Sequence, residues 1–440
     1  YYKRLYATIY LANLVIERFD ATESEVKARN IAEAKFFRAI CYFELTTLWG
    51  TPPLVDRVLK NSEEYKVPNS TAEQLWKFME TDLTEAITSG KLTSKTSLED
   101  RDGGTRATLE AARCLLGKIY LYQEKYADAK NELEKVISSG KYDLIADVST
   151  FYHPASAGCK EYVLECVRHY DPSNMYSQEG WFGILANWGF GYGFIAGPEA
   201  SMHYKFNTTS GYSYFNPSKS LYDAFVAEEG ADGYRLNAWI RTWEQVIAMN
   251  IAVNTTTNKY ASEGYFRLKW LASTDDEFVG YWCGNQSNTP VIRYADVLLM
   301  AAEACLQAGD QAGADEYLGR VRDRARLPRK SHVTLSDIKL ERRLELAMEG
   351  MRFQDLKRWG DAPAVLADKG KKLPTFQIVP DPNNDLTTAA GIYNARYTTK
   401  TTYVDNEKSL AGWTPNRDEW LPFPENELEV NSNLKQNPGY

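Results

Sequence analysis

The chain has 440 residues, of which 25% are charged, and its formal net charge is −8. A chain of this length can bury a large core, as one domain or as two closely packed ones. Its net negative charge and its lack of long Lys/Arg clusters are unfavourable for binding a phosphate backbone, so no nucleic-acid partner is expected. The sequence shows no signal peptide and no charge-free helical stretch long enough to cross a bilayer, so no membrane-spanning segment is predicted.

The N-terminal part is predicted to be helical. Residues 29–49 carry apolar side chains on two adjoining stripes, a pattern typical of a helix buried between neighbours. Residues 105–137 fit a tetratricopeptide-like helix pair, in which Gly117 would let the second helix approach closely and Ala129 would leave room for it. Such pairs need stacking partners to bury their apolar faces, so a curved scaffold of helix pairs is expected.

The middle of the chain, residues 151–290, loses the helical period and is rich in aromatic residues, Gly, Asn and Ser in irregular order. It holds six of the eleven Trp. Long loops in a compact protein are usually functional or disordered, and so many aromatic residues argue against disorder. Function is therefore expected here. Trp239 and Trp243, four residues apart on a predicted helix, are the exception and are expected in the core.

Residues 176–194 have the composition of a carbohydrate platform. A pyranose ring packs its C–H face on an aromatic ring, and its hydroxyls need planar donors and acceptors. The predicted stacking residues are Tyr176, Trp181, Trp188 and Tyr192, with Tyr212, Tyr214 and Trp282 as a second tier. Polar contacts are expected from Gln178 and Asn187. The alternative for each ring is a packing role that pins a long loop to the scaffold.

The C-terminal part returns to a helical period. Residues 291–325 are predicted to form a second helix pair, with Ala302, Ala314 and Leu318 at the close contacts. Residues 341–360, ERRLELAMEGMRFQDLKRWG, are predicted to lie on one helix that ends at Gly360. Its apolar face would consist of Leu340, Leu344, Ala347 and Met351. Two charged pairs would each contribute about 0.2–0.5 kcal/mol across a turn: Glu349 with Arg352, and Asp355 with Arg358.

The residues that could carry catalysis or bind a metal form no recognisable constellation. The sequence lacks a G-x-S-x-G elbow, a phosphate loop and an H-E-x-x-H motif, and its four His are scattered. No catalytic residue, metal site or cofactor is therefore predicted, although the many carboxylates leave a glycosidase pair open. Cys159 and Cys166 are close enough in sequence to form a disulfide, but two free thiols are the favoured interpretation.

Five segments, taken together, resemble the SusD/RagB family, the cell-surface glycan-binding lipoproteins of Bacteroidota polysaccharide-utilisation systems. The segment ERRLELAMEGMRFQDLKRWG is similar to the signature near the family's C-terminus. The other four follow the family's order along the chain: RNIAEAKFFRAICYFELTTLWGTPPLV (29–55), PSKSLYDAFVAEEGADGYR (217–235), PVIRYADVLLMAAEACLQAGD (290–310) and WLPFPENELEVNSNLKQNPGY (420–440).

This resemblance implies a mainly α fold, in which a tetratricopeptide-like helix-pair scaffold carries a large irregular, aromatic-rich loop region. The expected organisation is one closely packed unit. Its parts would be an N-terminal helical part (1–150), a loop-rich ligand-binding region (151–290), and a C-terminal helical pair with signature helix and tail (291–440). Family members begin with a signal peptide and a lipid-modified Cys, so a further N-terminal segment is expected ahead of residue 1.

The resemblance also implies a function without catalysis. Members bind an oligosaccharide or polysaccharide and pass it to a SusC-like TonB-dependent transporter. The chain is accordingly expected at the outer membrane, facing outward, held only by an N-terminal lipid anchor that this chain does not contain. The family does not specify the sugar. Two alternatives remain open: a tetratricopeptide-type scaffold that binds peptides or proteins, and a surface glycosidase.

Overall fold

The computed structural model describes residues 1–152, 154–167, 216–248, 259–260, 263–269, 288–385, 387–388, 391, 396–406 and 411–440. Within these ranges the fold is mainly α-helical, which confirms the predicted class. The helices that precede the first strand are α1 (Tyr2–Arg18), α2 (Glu25–Trp49), α3 (Ala72–Thr88), α4 (Leu109–Tyr122) and α5 (Tyr126–Ser138).

The later elements alternate short helices with short strands before the helical period returns. They are β1 (Tyr162–Cys166), α6 (Lys219–Glu229), α7 (Tyr234–Trp239), β2 (Ile240–Thr242), α8 (Trp243–Ala248), β3 (Lys259–Tyr260), β4 (Tyr265–Arg267) and β5 (Thr289–Arg293). The C-terminal elements are α9 (Tyr294–Gln307), α10 (Gln311–Arg324), α11 (Leu335–Glu345), α12 (Arg352–Arg358), α13 (Ala362–Val365), β6 (Lys372–Pro380), β7 (Tyr397–Asp405) and α14 (Glu425–Val430).

The helices of both ends share one core. Helices α1 to α5 pack in sequence order, α5 also packs against α9, and α9 packs against α10 and α11. Their buried apolar residues form one cluster that runs from Tyr2 to Leu434. Among the described helices, none is long and apolar enough to span a lipid bilayer.

Both predicted helix pairs are present. A Cβ atom at Gly117 on α4 would lie 2.8 Å from Cγ of Leu133 on α5, so the two helices meet where only Gly fits without rearrangement. Ala129 is fully buried beside this contact. In the second pair, α9 and α10, the residues predicted at the close contacts are fully buried, namely Ala302, Ala314 and Leu318.

The signature region is two helices rather than the single one predicted. Helix α11 ends at Glu345, and α12 begins at Arg352. Between them Met348 and Gly350 adopt positive φ angles of 64° and 81°, which interrupts the helix. The predicted apolar face is nevertheless directed inward, since Leu344 and Ala347 are buried. Asp355 pairs with Arg358 as expected, with Oδ1 and Nε 2.9 Å apart.

Trp239 and Trp243 are both buried, as predicted, but they lie on different helices. Trp239 ends α7 and Trp243 begins α8, with the extended residues of β2 between them. This strand pairs with β4, so the chain leaves helical geometry for three residues. Trp239 belongs to a second, smaller apolar cluster with Phe151 and Phe225.

The described strands form small antiparallel sheets. Strand β1 pairs with β5, β2 pairs with β4, and β3 adds to the long hairpin of β6 and β7. In the first sheet Cys166 is opposite Thr289. Both Cys159 and Cys166 are free thiols, in agreement with the favoured interpretation of the sequence.

The close contact at Gly117 can be tested by replacing it with Ala. Gly117→Ala places a methyl group against the branched carbon of Leu133, so we expect a loss of about 1–3 kcal/mol in the free energy of unfolding. The matched control is Gly319→Ala on α10, whose new Cβ would lie 3.0 Å from Cδ of the exposed Arg329 side chain. In the control the higher helix propensity of Ala offsets the shift that Arg329 must make, so its free energy of unfolding should change by less than about 1 kcal/mol. Equal urea midpoints for the two variants would contradict the predicted contact.

Candidate ligand-binding site

The nine residues predicted to contact a ligand lie outside the described residues, so they stay a prediction. They are Tyr176, Gln178, Trp181, Asn187, Trp188, Tyr192, Tyr212, Tyr214 and Trp282. The described residues do fix the points at which the two segments that carry them, 168–215 and 270–287, join the scaffold. Those points define the foundation of the candidate site.

The first of these points is the sheet of β1 and β5. Segment 168–215 follows β1, and segment 270–287 precedes β5, so the antiparallel pairing of Cys166 with Thr289 brings one end of each segment together. Asn288 Nδ2 donates to Glu165 Oε2 at 3.0 Å, and the backbone N–H of Gly158 donates to Oε1 at 2.8 Å. Burial raises the pKa of Glu165. At this junction both oxygens of the Glu165 carboxylate therefore accept a hydrogen bond.

The second point is Lys269, directly before segment 270–287. Its ammonium is buried and donates to the backbone carbonyls of Glu345 and Ala347 at 2.9 and 3.1 Å and to Glu349 Oε1 at 2.5 Å. It also lies 3.8 Å from the centroid of the Trp239 ring, a cation–π contact. Burial lowers the pKa of Lys269 to about 8, against the opposing effect of the Glu349 carboxylate. Lys269 thus joins the start of this segment to the C-terminal end of α11.

The third point is the start of α6, where segment 168–215 rejoins the described chain. Ser218 caps this helix by accepting a hydrogen bond from the Leu221 N–H at 3.2 Å. The backbone N–H of Lys219 donates to Glu263 Oε2 at 2.6 Å. Arg343 of α11 donates to the carbonyl and the hydroxyl of Ser220 at 3.0 and 2.8 Å. The signature region therefore contacts this end as well.

The first two of these points meet at Glu345, the last residue of α11, whose carboxylate is buried. Its Oε2 accepts from Arg235 at 3.0 Å, and its Oε1 accepts from Arg293 at 3.0 Å and forms a shorter bond with Arg324. Burial alone would raise the pKa of Glu345, but the charges of Arg324, Arg293 and Arg235 hold it well below the usual range. The carboxylate stays ionised and links α7, β5 and α10 to α11.

Neighbouring carboxylates complete this buried ion network. Glu161, next to β1, accepts from Arg293 at 2.6 Å and from Arg324 at 3.2 Å. Glu349, which the sequence paired with Arg352, is instead held by Arg293 at 2.7 Å and by Lys269. Each ion of this network is paired with an opposite charge, which is the condition under which buried ions are tolerated. Arg235 Nη2 and Arg324 Nε are buried without a hydrogen bond among the described residues.

A second set of buried charges ties the other half of the signature region to α9. Arg342 donates to Asp355 Oδ2 at 2.9 Å and to Asp296 Oδ1 at 2.8 Å. Arg358 donates to both oxygens of Glu303, at 2.5 and 2.8 Å. These contacts are bidentate or shared between elements, the arrangement that guanidinium groups form best. The Arg-rich signature is thus a structural clamp.

Sequence reasoning missed these residues as parts of the site. The sequence placed Glu345 among the charges of one structural helix and indicated no partner for it, because no local pattern marks partners separated by up to 110 residues. The sequence carries one signal for this network: Arg and Glu are dense in a segment whose apolar residues recur with the helical period. A charged face that packs against other charged segments has the same appearance in sequence as a solvated one.

One group of side chains among the described residues has metal-ligand chemistry: Glu134, Cys305 and Asp310. Lys130 forms an ion pair with Asp310 at 2.6 Å, and Tyr317 donates a hydrogen bond to Glu134 at 3.1 Å. Burial raises the pKa of Cys305 to about 12, so its thiol is protonated at neutral pH. The group is internally hydrogen-bonded, and nothing in its geometry points to an ion.

The importance of the buried ion network can be tested with Glu345→Gln. The amide keeps the shape of the side chain but removes the charge that balances three Arg, so we expect a loss of about 3–5 kcal/mol in the free energy of unfolding. The matched control is Asp223→Asn, which removes one partner of the exposed Lys219–Asp223 pair and should change stability by less than about 1 kcal/mol. Chemical denaturation of both variants measures the difference. A Glu345→Gln protein as stable as the control would refute the role of the network.

Comparison with known families gives two matches that together cover most of the chain. A family model described as the SusD family matches residues 160–440, and another, described as starch-binding associating with outer membrane, matches residues 1–121. A SusD-like protein of Bacteroides ovatus is 25% identical over 469 aligned positions, covering 98% of this chain and 79% of that protein. SusD-like protein P25 of Formosa agariphila is 24% identical, covering 83% of this chain and 71% of that protein.

Solved structures agree on the fold. A structure titled laminarin binding SusD-like protein superposes with a TM-score of 0.76 at 28% identity, covering 99% of this chain and 84% of that chain. Surface glycan-binding protein A from Bacteroides thetaiotaomicron, in complex with laminarihexaose, gives 0.70 at 23% identity, with 99% and 84% covered. The surface glycan-binding protein A from Bacteroides fluxus gives 0.74, also at 23%, with the same coverage.

Proposed function

The chain belongs to the SusD family, and from this premise we propose that it binds an oligosaccharide at the cell surface and delivers it, chemically unchanged, to a SusC-like TonB-dependent transporter. The observation that carries the proposal is the likeness to a laminarin binding SusD-like protein along 99% of the chain at 28% identity. Laminarin is therefore the first glycan to test.

In this proposal the ligand is held by aromatic side chains of the two segments rooted on the buried ion network. Trp181, Trp188 and Tyr192 would stack on sugar rings, with Tyr176, Tyr212, Tyr214 and Trp282 around them, and Gln178 and Asn187 would bond to hydroxyls. The junction of β1 with β5 supports a shared site, because it joins one end of each segment in a single antiparallel pair. A fixed base lowers the entropy lost when the rings order around a ligand.

Delivery without chemistry requires only capture and release. A binder that passes its ligand on needs no general acid or base, whereas a glycosidase needs two carboxyl groups about 5–9.5 Å apart facing one bond. Three clustered carboxylates of the described core are neutralised by Arg and Lys, of which Glu161 and Glu345 are buried and Glu349 is 10% exposed. They serve structure and are not available to a substrate. The proposed location is the outer membrane, facing outward, through a lipid anchor.

The proposal is tested by calorimetric titration of the purified chain with laminarin and a panel of other polysaccharides. The Trp181→Ala/Trp188→Ala double variant should bind at least about tenfold more weakly, because each lost stacking surface contributes on the order of 1 kcal/mol. A reducing-sugar assay on the same mixtures should show no turnover. The control is the double variant Tyr10→Ala/Tyr65→Ala, which removes two aromatic residues exposed by 48% and 59% from the helical end.

Three outcomes would contradict the proposal in different ways. Release of reducing sugar would favour a glycosidase. Wild-type binding to no glycan, together with binding to peptides, would favour a tetratricopeptide-type scaffold. Equal affinity of the Trp double variant and the Tyr control for a bound glycan would remove the predicted platform while leaving glycan binding intact. Loss of oligosaccharide uptake in cells that lack this protein, with the transporter still present, would support delivery.

A further inference from the structure

We infer a second oligosaccharide subsite on the β6–β7 hairpin, distinct from the aromatic platform predicted in 168–215 and 270–287. It is a cleft of about 460 Å³ bounded by residues 216–218, Glu263, and three residues of the hairpin, Lys372, Pro374 and Tyr403. Its volume lies within the range of about 300–1,000 Å³ usual for ligand pockets. This inference rests on the proposed function, because it extends glycan binding to a further surface.

Tyr403 is the stacking surface of this cleft. Its side chain remains 49% exposed, and it is opposite Pro374 in the antiparallel register of the hairpin. Its hydroxyl donates to Glu263 Oε1 at 2.6 Å, and that carboxylate is itself held by the backbone N–H of Lys219 at 2.6 Å. The ring is therefore fixed at its polar tip while its face stays open. A fixed ring loses less side-chain entropy on binding than a free one.

Two further rings lie on the elements next to Glu263. Tyr222 of α6 and Tyr265 of β4 stack with centroids 4.6 Å apart and planes 28° from parallel. Both are half-buried and pack against the smaller apolar cluster. The hydrogen bond to Glu263 raises the pKa of Tyr403 to about 12, so its hydroxyl remains a donor over the whole physiological range. The cleft is a built arrangement of a carboxylate and rings joined to the core.

The polar groups of the cleft suit a neutral, hydroxyl-rich ligand. Its lining carries one carboxylate, Glu263, and one ammonium, Lys372, so the two charges offset each other. Lys372 is exposed, and its nearest ion-pair partner, Asp405, is 3.8 Å away. Ser218 accepts the capping hydrogen bond of α6 and keeps its own O–H available to donate. Donors and an acceptor around a half-exposed ring are what a sugar unit requires.

The position of the cleft predicts how it contributes to glycan affinity. Residues 216–218 form one wall of the cleft, and they directly follow segment 168–215, which carries most of the predicted platform. A glycan long enough to reach both places would gain from their linkage, because the second contact becomes intramolecular. A short oligosaccharide would occupy only one. The cleft should therefore raise the affinity for long chains and leave the affinity for short ones unchanged.

The test compares laminarin with laminarihexaose by calorimetry on the full chain. Tyr403→Ala should weaken laminarin binding about tenfold and leave laminarihexaose binding within about twofold of wild type, because only the long chain engages both places. Tyr403→Phe keeps the ring but loses the bond to Glu263, so it should show an intermediate loss. The control is Tyr10→Ala, an equally exposed Tyr on α1, which should change neither affinity. Thermal unfolding verifies that each variant is folded.

The remaining outcomes overturn the inference in distinguishable ways. If wild type binds laminarin and Tyr403→Ala binds it equally well, the second subsite is refuted while the proposed function stands. An equal loss for laminarin and laminarihexaose would place Tyr403 in the main site and not in a second one. If Tyr403→Phe is as weak as Tyr403→Ala, stacking on the ring is not the source of affinity. Wild type that binds no glycan would refute the subsite together with the proposed function.

Discussion

The ionised carboxylate of Glu345, buried among Arg235, Arg293 and Arg324, is the interaction on which the arrangement of this protein depends. Arg235 lies on a short helix of the middle region, and Arg293 lies on the strand that follows segment 270–287. Arg324 lies on the second helix of the C-terminal pair. Desolvation makes each of these ions costly when alone, so they are stable only as a set. The helical scaffold and the middle region are thereby fixed to one another through charge as well as apolar packing.

This constraint separates a fixed part of the molecule from a part whose sequence can change. Lys269, Arg293 and Glu161 fix the ends of the aromatic-rich segments without contributing a side chain to the predicted platform. Residues between those ends can then differ between family members without disturbing the foundation. The subsite inferred on the hairpin of β6 and β7 is joined to the same region through Glu263. In the proposed function, the core determines where a ligand can be held, and the residues between the fixed ends determine which ligand.

What could be predicted from the sequence was local. Gly117 and Ala129 predicted a close helix contact because they are small residues at the spacing typical of a helix pair. The structure has that contact. The division of the signature region was missed because it depends on Met348 in a left-handed conformation and on Lys269, which donates to the Glu345 carbonyl at the end of α11 from outside the segment. The partners of Glu345 were missed for the same reason. The nine residues of the predicted platform rest on composition and family resemblance, which indicate a chemistry but no geometry.

The most direct test of this account is hydrogen exchange measured by mass spectrometry on the full chain, with and without a saturating glycan that binds it. The account predicts that the glycan slows exchange in 168–215 and 270–287, while the helix pairs α4–α5 and α9–α10, already buried, exchange as before. Protection confined to the exposed faces of those helix pairs, with none in the two segments, would contradict it and would place the ligand on the tetratricopeptide-like scaffold.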